Sequence, residues 1–430
     1  VSGGFSGQLA VYGLPSGRLF KVIPVFSVDA EKAYGFNEET KPMLNTSHGF
    51  IPWDDSHHPD ISQTAGELDG RYVFINGNNT PRIAKIDLST FETTEIIEIP
   101  NSAGNHSSSF VTENTEYVVA GTRFSVPYPQ RDMPIKEYKG NFKGALTFIS
   151  VAPETGAMDI KFQIMMPGFN YDLSHPGRGK SHGWFFCTTY NTEEANSLLE
   201  VNASQNDKDF IAAINWKKIE EYVNNGGGTK MPTNYAHNLY SDETHTATST
   251  MINEVLTVNP LDVPGAVYFL PTPKSPHGCD VSPTGEYIVG SGKLAAVIPV
   301  FGYEKMLKAI QAKDYIGEFE GIPVLKYESV LYGEVKKPGL GPLHTEFDNK
   351  GNAYTSFFVS SEVVKWNIKD LKVLDRAPTY YSVGHLCVAG GDSKNPNGKY
   401  LVAYNKITKD RYLPTGPELS QSAQLYDISG

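Results

Sequence analysis

The stretch Ser282-Pro-Thr-Gly-Glu-Tyr-Ile-Val289 joins a turn to an apolar strand. Proline and glycine suit the turn, and a tyrosine followed by β-branched residues suits a half-buried strand. The same order of turn, tyrosine and apolar strand occurs at four other places. The tyrosines of the five copies are Tyr72, Tyr117, Tyr287, Tyr354 and Tyr400. This repetition predicts a protein built from recurring antiparallel hairpins.

The spacing of these tyrosines indicates the length of the repeat. Two of the four intervals are 45 and 46 residues, which is close to the ~40–50 residues of one four-stranded propeller blade. The interval of 170 residues leaves room for further blades, with strands predicted at 144–151 and 209–216. Short helices are predicted as insertions at 217–223 and 303–313. We therefore predict an all-β propeller that occupies residues 1–430 as a single domain.

Composition excludes some classes of function. The formal net charge of −11 disfavours nucleic-acid binding, which needs lysine and arginine on phosphates. No apolar run approaches the ~20 residues that cross a bilayer. Three distant cysteines, Cys187, Cys279 and Cys387, cannot all pair and form no Cys-x-x-Cys metal motif. Cys279 is interpreted as a small buried thiol rather than a copper ligand.

Five histidines keep a repeated place, 10–15 residues ahead of the repeat tyrosines. They are His58, His106, His277, His344 and His385. In a propeller, the strand before each hairpin is the innermost one, so these side chains are predicted to converge. Neutral imidazole is a good ligand for copper, iron, nickel or zinc. The pattern therefore predicts a metal site built from several blades.

The adjacent pair His57-His58 sets a condition on its strand. Neighbouring side chains of a strand point to opposite faces, so both rings serve one site only where the strand ends or bulges. The nearby Asp54, Asp55 and Asp60 are predicted to accept hydrogen bonds from ring N–H groups. The five histidines without this placement are interpreted as structural: His48, His175, His182, His237 and His245.

Two other function classes stay open on the residues alone. One is a non-catalytic propeller scaffold, stabilised by calcium, that binds a partner or ligand through its loops. The other is a hydrolytic propeller with one calcium on its axis, which would need carboxylates where this chain has histidines. Ser181-His182-Gly183 lacks the surrounding motif of a nucleophile elbow, so it does not indicate a serine hydrolase.

Several of these stretches together resemble one family, the nitrous oxide reductases. The matching stretches are Asp55-Ser-His-His-Pro-Asp60, Ser275-Pro-His-Gly-Cys-Asp-Val-Ser-Pro283, Ser291-Gly-Lys-Leu294, Gly341-Pro-Leu-His-Thr-Glu346, Val383-Gly-His385, Asn405-Lys-Ile-Thr-Lys-Asp-Arg-Tyr-Leu413 and Gln424-Leu-Tyr-Asp-Ile-Ser-Gly430. They run in order through essentially the whole chain.

The resemblance implies a seven-bladed propeller and a sulfide-bridged four-copper cluster held by seven histidines. Six match here: His57, His58, His106, His277, His344 and His385. Lys406 matches a lysine near the cluster and is the predicted catalytic residue. The seventh histidine and the cupredoxin domain, whose dinuclear copper centre admits electrons, are expected outside this sequence. We therefore expect the chain to be incomplete and inactive alone.

The resemblance also implies calcium sites. Tyr190, Glu193 and Asp209 match ligands of one site, and Ser275 stands where the family has asparagine. Lys406 and Gln421 match a second site, with glutamine replacing the family's glutamate. Oxygen ligands of this kind suit a hard cation.

The activity implied by the resemblance is reduction of N2O to N2 and water, the terminal step of denitrification. The implied electron donor is a protein such as a cytochrome c, and the implied assembly is a head-to-tail homodimer. The His-His-Pro-Asp form resembles family members exported by the general secretion route. A periplasmic location is therefore expected.

Overall fold

A computed structural model describes residues 6–129, 133–134, 137, 141–192, 209–405 and 422–430. Strands dominate this part of the chain, and the predicted all-β propeller class is confirmed. The predicted site residues Glu193, Lys406 and Gln421 lie outside the described residues. The backbone of Tyr190 is described, but its side chain is not.

The chain divides into two compact units. Of the described residues, unit 1 contains those within 6–171, Thr192 and 217–264, and unit 2 contains those within 172–191, 209–216 and 265–430. Two small hairpins lie in unit 1. Their strands are β1 (Gln8–Gly13), β2 (Arg18–Pro24), β3 (Asn45–Thr46) and β4 (Gly49–Phe50).

Unit 1 contains two four-stranded blades. Each begins with a histidine-bearing strand and continues outward through antiparallel neighbours. The first blade comprises β5 (Ser56–Thr64), β6 (Glu67–Gly77), β7 (Arg82–Asp87) and β8 (Glu92–Glu98). The second comprises β9 (Asn105–Val111), β10 (Tyr117–Thr122), β12 (Phe142–Val151) and β13 (Met158–Pro167), with β11 (Val126–Pro127) paired to β12.

A long hairpin joins these two blades at their outer edges. Its strands are β17 (Thr229–Ser241) and β18 (Thr246–Val258). β17 pairs antiparallel with β8, and β18 pairs parallel with β13. The hairpin thus covers two strand edges that would otherwise expose unpaired backbone groups.

Unit 2 contains four more blade sheets. The first comprises β14 (Phe169–Pro176), β15 (Trp184–Thr192), β16 (Phe210–Asn215) and β19 (Val267–Pro271), extended by β24 (Ile322–Leu325) and β23 (Tyr315–Phe319). The second comprises β20 (Pro276–Val281), β21 (Tyr287–Gly292), β22 (Val297–Gly302) and β25 (Leu331–Lys336). The third comprises β26 (Pro342–Phe347), β27 (Asn352–Phe357), β28 (Glu362–Asn367) and β29 (Lys372–Pro378). The fourth comprises β30 (Val383–Val388), β31 (Tyr400–Asn405) and β32 (Ala423–Asp427).

Six blade sheets are therefore visible in the described ranges, five with a complete set of four strands. A seventh blade stays a prediction. Every repeat tyrosine lies in the second strand of its blade, as the hairpin pattern predicts. Adjacent sheets pack through apolar faces. Val289 and Val300, for example, belong to one core cluster with Phe357 and Trp366 of the following sheet.

Helices are short insertions, as predicted. They are α1 (Trp216–Asn224), α2 (Tyr303–Ala312) and α3 (Tyr327–Val330), with 3₁₀ turns at Lys41–Leu44, Gly179–Ser181 and Pro260–Asp262. α1 is followed by Gly226–Gly228, and Met306 and Ala309 of α2 are buried. Within the described ranges, none of the helices has the length and apolarity to traverse a bilayer.

Two buried carboxylates of β8 hold the long hairpin in place. Glu95 accepts hydrogen bonds from Lys85 Nζ at 2.6 Å, His237 Nε2 at 2.7 Å and Met158 N at 3.0 Å. Burial raises the pKa of Glu95, but His237 and Lys85 outweigh burial and lower it. Glu98 accepts the backbone N–H groups of Ser47 and Ala236. Both blades of unit 1 and the hairpin therefore meet at β8.

We predict that Glu95→Gln lowers the free energy of unfolding of unit 1 by about 3–5 kcal/mol, because it leaves the buried Lys85 ammonium without its counter-charge. The control is Glu254→Gln, which removes an exposed ion pair with Lys230 on the same hairpin. This change should cost at most about 1 kcal/mol. Urea unfolding of both variants measures the difference, and equal losses would contradict the role of Glu95.

Candidate metal centre

Five strands carry the predicted copper ligands. Each is the first strand of its blade and has a β-bulge at its histidine. In β20, Pro276 pairs with Gly292 and Cys279 with Gly290, so β20 holds one residue more than its partner between these two pairs. The same one-residue excess occurs in β5, β9, β26 and β30. Bulges re-aim side chains and are frequent beside active sites. Each of the five histidines that recur along the sequence therefore lies at a β-bulge.

Three imidazoles come together in unit 1. Nε2 of His58 lies 3.4 Å from Nε2 of His106. The ring centroid of His57 lies 4.3 Å from that of His58 and 5.0 Å from that of His106. His58 and His106 are buried. We call His57, His58 and His106 the first trio.

The adjacent pair His57-His58 meets the condition set by the sequence. The register of β5 shifts between His57 and Asp60, and His58 has a φ of 42°. A positive φ breaks the strand alternation that would send the two rings to opposite faces. Ser109 Oγ donates to the carbonyl of His58 and ties this conformation to β9.

The nearby aspartates stabilise the surrounding backbone. Asp54 accepts from Asn79 N, Thr80 N and the buried Arg82 guanidinium. Asp55 accepts hydrogen bonds from Asn78 Nδ2 and Asn79 Nδ2. Asp60 accepts one from Val111 N. These contacts fix the turn at 78–80 and the spacing of β5 and β9.

Three imidazoles also come together in unit 2. Nε2 of His277 lies 3.2 Å from Nε2 of His344, and their centroids are 5.0 Å apart. The ring of His385 lies 4.7 Å from that of His344, nearly perpendicular to it. We call His277, His344 and His385 the second trio.

A buried carboxylate that the sequence analysis missed orients His277. Asp172 of β14 accepts a hydrogen bond from Nδ1 of His277, and Lys293 Nζ lies 3.7 Å from the same carboxylate oxygen. With its proton on Nδ1, the ring presents the Nε2 lone pair toward His344. A carboxylate on the far nitrogen is the usual support of a metal-binding histidine. An aspartate in a predominantly apolar strand, between Tyr171 and Leu173, was the available sequence signal.

Three hydroxyl groups connect the bulged strands of unit 2. Thr188 accepts from Leu173 N and donates to the carbonyl of His277 at 2.9 Å. Ser291 accepts from Gly278 N at 2.6 Å and donates to the carbonyl of Leu343. Ser356 accepts from His344 N at 3.3 Å and donates to the carbonyl of Gly384 at 2.6 Å. Each hydroxyl sits on the second strand of one blade and reaches the first strand of the next.

Gly278 is required by the close approach of β20 and β26. A Cβ atom at this position would lie 1.8 Å from the carbonyl oxygen of Leu343 and 2.4 Å from Ser291 Oγ. Any other residue would push the two bulged strands apart. The glycine of the Pro-His-Gly stretch therefore brings His277 within reach of His344.

The histidines interpreted as structural include members with clear structural contacts. His175 lies 3.0 Å from Asp392 and 2.6 Å from Arg178. The ring of His182 packs edge-on against Trp216, and His237 contacts Glu95. These contacts agree with the structural interpretation.

Part of the predicted calcium site is described. Asp209 Oδ1 accepts from Ser275 N at 3.3 Å, and Ser275 has a φ of 55°. Asp209 and Ser275 thus lie together, ahead of β16 and β20. Tyr190 lies on β15, in the same sheet as β16, but its side chain is outside the described atoms.

The donor set fits copper. Two nitrogens bound to one metal at ~2.0–2.1 Å with tetrahedral angles lie about 3.3 Å apart. The Nε2 pairs of the two trios, at 3.4 Å and 3.2 Å, match this spacing. Imidazole nitrogen favours copper or zinc over hard cations such as calcium. The trios therefore suit a nitrogen-ligated transition metal, with Asp172 as the outer support of one ligand.

Comparisons with known proteins agree with this chemistry. The chain is 31% identical to the nitrous-oxide reductase of Stutzerimonas stutzeri over 449 residues and 30% identical to that of Pseudomonas fluorescens. Each match covers 100% of this chain and 63% of the relative, so the chain spans less than two thirds of their length. Residues 376–430 match a family model described as the nitrous oxide reductase propeller repeat.

We predict that Ser291→Ala destabilises unit 2 by about 1–3 kcal/mol, because Gly278 N and Leu343 O lose their buried partner. Ser429→Ala, which removes an exposed hydroxyl, is the control and should change the free energy of unfolding by no more than about 0.5 kcal/mol. Urea unfolding tests the pair. An S291A variant as stable as S429A would show that the hydroxyl connection is dispensable.

We predict that Asp172→Asn weakens copper(I) binding by the second trio about 10–100-fold, because an amide no longer holds the Nδ1 proton of His277 as firmly. Asp370→Asn, an exposed change in the same unit, should leave the affinity unchanged. Competition with a copper(I) chelator measures both. Equal affinities in the two variants would exclude an orienting role for Asp172.

Proposed function

Because this chain is related along its whole length to the N-terminal part of nitrous-oxide reductases, we propose that it is the copper-binding propeller of an enzyme that reduces N2O to N2 and water. The reaction consumes two electrons and two protons. The observation that carries the proposal is the pair of histidine trios, in each of which two Nε2 atoms face one another at a spacing suited to metal ligation.

The six histidines are the proposed copper ligands. They are His57, His58, His106, His277, His344 and His385. Copper bridged by sulfide, when bound, supplies electrons and a soft surface for N2O, a poor ligand and an inert oxidant. The protein's part is to hold neutral imidazoles in place. Asp172 fixes the proton of His277 on Nδ1, and the bulges aim the rings.

The further elements of the reaction belong to the same proposal. Lys406 is the proposed source of charge stabilisation or a proton at the substrate oxygen, because a lysine ammonium group can stabilise negative charge and donate a proton. One calcium site is proposed at Asp209 and Ser275, together with Tyr190 and Glu193. A second calcium site is proposed at Lys406 and Gln421. Electrons come from a reduced carrier protein such as a cytochrome c, in the periplasm, through the second domain of a homodimer.

Copper content tests the proposal directly. We expect protein purified anaerobically from copper-replete cells to contain several copper ions and acid-labile sulfide per chain. We expect the double variant His277→Ala with His344→Ala to lose most of this copper, because two facing ligands are removed. His245→Ala, on an exposed residue, should retain it.

The outcomes separate the candidate functions. Copper that remains in the double variant would contradict ligation by the second trio. Calcium without copper in the unaltered protein would favour a calcium-stabilised scaffold that binds a partner. Elemental analysis and circular dichroism on the same samples distinguish loss of metal from loss of fold.

A further inference from the structure

Two layers of polar groups lie on the first strands of the four blade sheets of unit 2 and on the loop after β30. We call Asp172, His277, His344 and His385 the histidine layer. We call His175, Asp280, Glu346 and Asp392 the acid layer. Each blade sheet of unit 2 contributes one group to each layer, from its first strand or the loop that follows it.

The bulge of β20 places its two polar groups, His277 and Asp280, on one side of the strand. In an unbroken strand, residues three apart, such as His277 and Asp280, point to opposite faces. The extra residue between Pro276 and Cys279 restores them to the same face. At about 3.3 Å per residue, Asp280 then lies roughly 7–10 Å along the strand from His277.

An arginine connects two members of the acid layer, His175 and Asp392. Arg178 Nη2 lies 2.6 Å from His175 Nε2 and 3.4 Å from Asp392 Oδ1, and Nη1 donates to Ser393 O at 3.3 Å. Asp280 accepts from Thr345 N at 2.9 Å. The arginine balances one carboxylate, while the layer contains three carboxyl groups.

Burial decides which carboxyl groups keep a proton. Burial raises the pKa of Asp392, but His175 and Arg178 outweigh it and hold the pKa at about 2. Burial raises the pKa of Asp280 well above its usual value, as it does that of Glu346. Burial and Arg178 lower the pKa of His175, so its ring is neutral. Asp392 is thus the ionised member of the layer.

Solvent reaches the acid layer at Asp392. The Asp392 side chain keeps 41% of its surface accessible, whereas Asp280 is 9% exposed. A proton entering at Asp392 therefore has a polar route toward the drier Asp280. From Asp280 the next polar groups along the strand face are those of the histidine layer.

We propose that Asp280 stores a proton and delivers it to the reaction at the histidine layer, an inference that rests on the proposed reduction of N2O. In this step the O–H bond of Asp280 breaks. The proton passes through hydrogen-bonded water to the oxygen atom that leaves N2O as water, and the two electrons come from the reduced carrier protein. The Asp280 carboxylate then regains a proton from solvent past Asp392. Two such transfers supply the two protons of one turnover.

The stored proton is tested first without any metal. In infrared spectra of the chain at neutral pH, we expect a carboxylic-acid C=O band that shifts in D2O. Asp280→Asn should remove part of this band. Asp348→Asn, a control at a buried aspartate of the same unit, should leave the band unchanged. A D280N spectrum identical to that of the unaltered chain would overturn the inference.

The delivery of the proton is tested in the full-length, copper-loaded enzyme with a dye as reductant. We expect D280N to lower kcat at least about 100-fold, with the KM for N2O and the copper content unchanged. The unaltered enzyme should lose kcat as pH rises through the pKa of Asp280, and D280N should lose this dependence. D348N should behave as the unaltered enzyme does.

The two proposals fail in different ways. A copper-loaded, unaltered enzyme that does not reduce N2O would overturn the proposed function and, with it, this role of Asp280. An active unaltered enzyme together with an equally active D280N would overturn the role of Asp280 alone. A fall in copper content in D280N would make Asp280 a structural residue and would also overturn proton delivery.

Discussion

The hydrogen bonds of Thr188, Ser291 and Ser356 are the interactions on which the site in unit 2 depends. A bulge removes a backbone N–H and a carbonyl from the regular ladder, and buried backbone groups must find partners elsewhere. A hydroxyl both donates and accepts, so one side chain satisfies the N–H of its own blade and the carbonyl of the next. The bulges are thereby stable in the interior, and the histidines they carry stay aimed.

Unit 1 reaches a similar result with other groups. Asn76 donates to the carbonyl of Asn105 at 2.5 Å, Ser109 donates to the carbonyl of His58, and Asp60 accepts from Val111 N. β17 and β18 also join its two blades at their outer edges, where the buried carboxylates of β8 hold this hairpin in place. The inner ends of β5 and β9 are thus fixed by polar contacts, and the outer edges by an added hairpin.

The sequence predicted those features that repeat along the chain. The tyrosines located the second strands, and their spacing located the histidines. The doublet His57-His58 predicted a strand end or a bulge, and the structure shows a bulge in β5. The sequence did not predict Asp172, Thr188 or the acid layer. These residues act through contacts between blades, such as that of Asp172 with His277 at a separation of 105 residues, and the repeat along the sequence does not predict such contacts. Family resemblance supplied the copper and calcium ligands, of which Lys406 lies outside the described residues.

The separation of the two layers has a chemical reason. Carboxylates among the histidines would favour hard cations, because oxygen ligands suit calcium or magnesium and imidazoles suit copper. Because the acids of the acid layer lie further along the strands, the facing donor atoms of the second trio are all nitrogen. The exchangeable protons of these acids still lie within a few residues of the histidines. A propeller provides such layers readily, because equivalent positions of successive first strands lie side by side. One residue per blade then decides the chemistry of a layer, and the bulge decides which residues share a face.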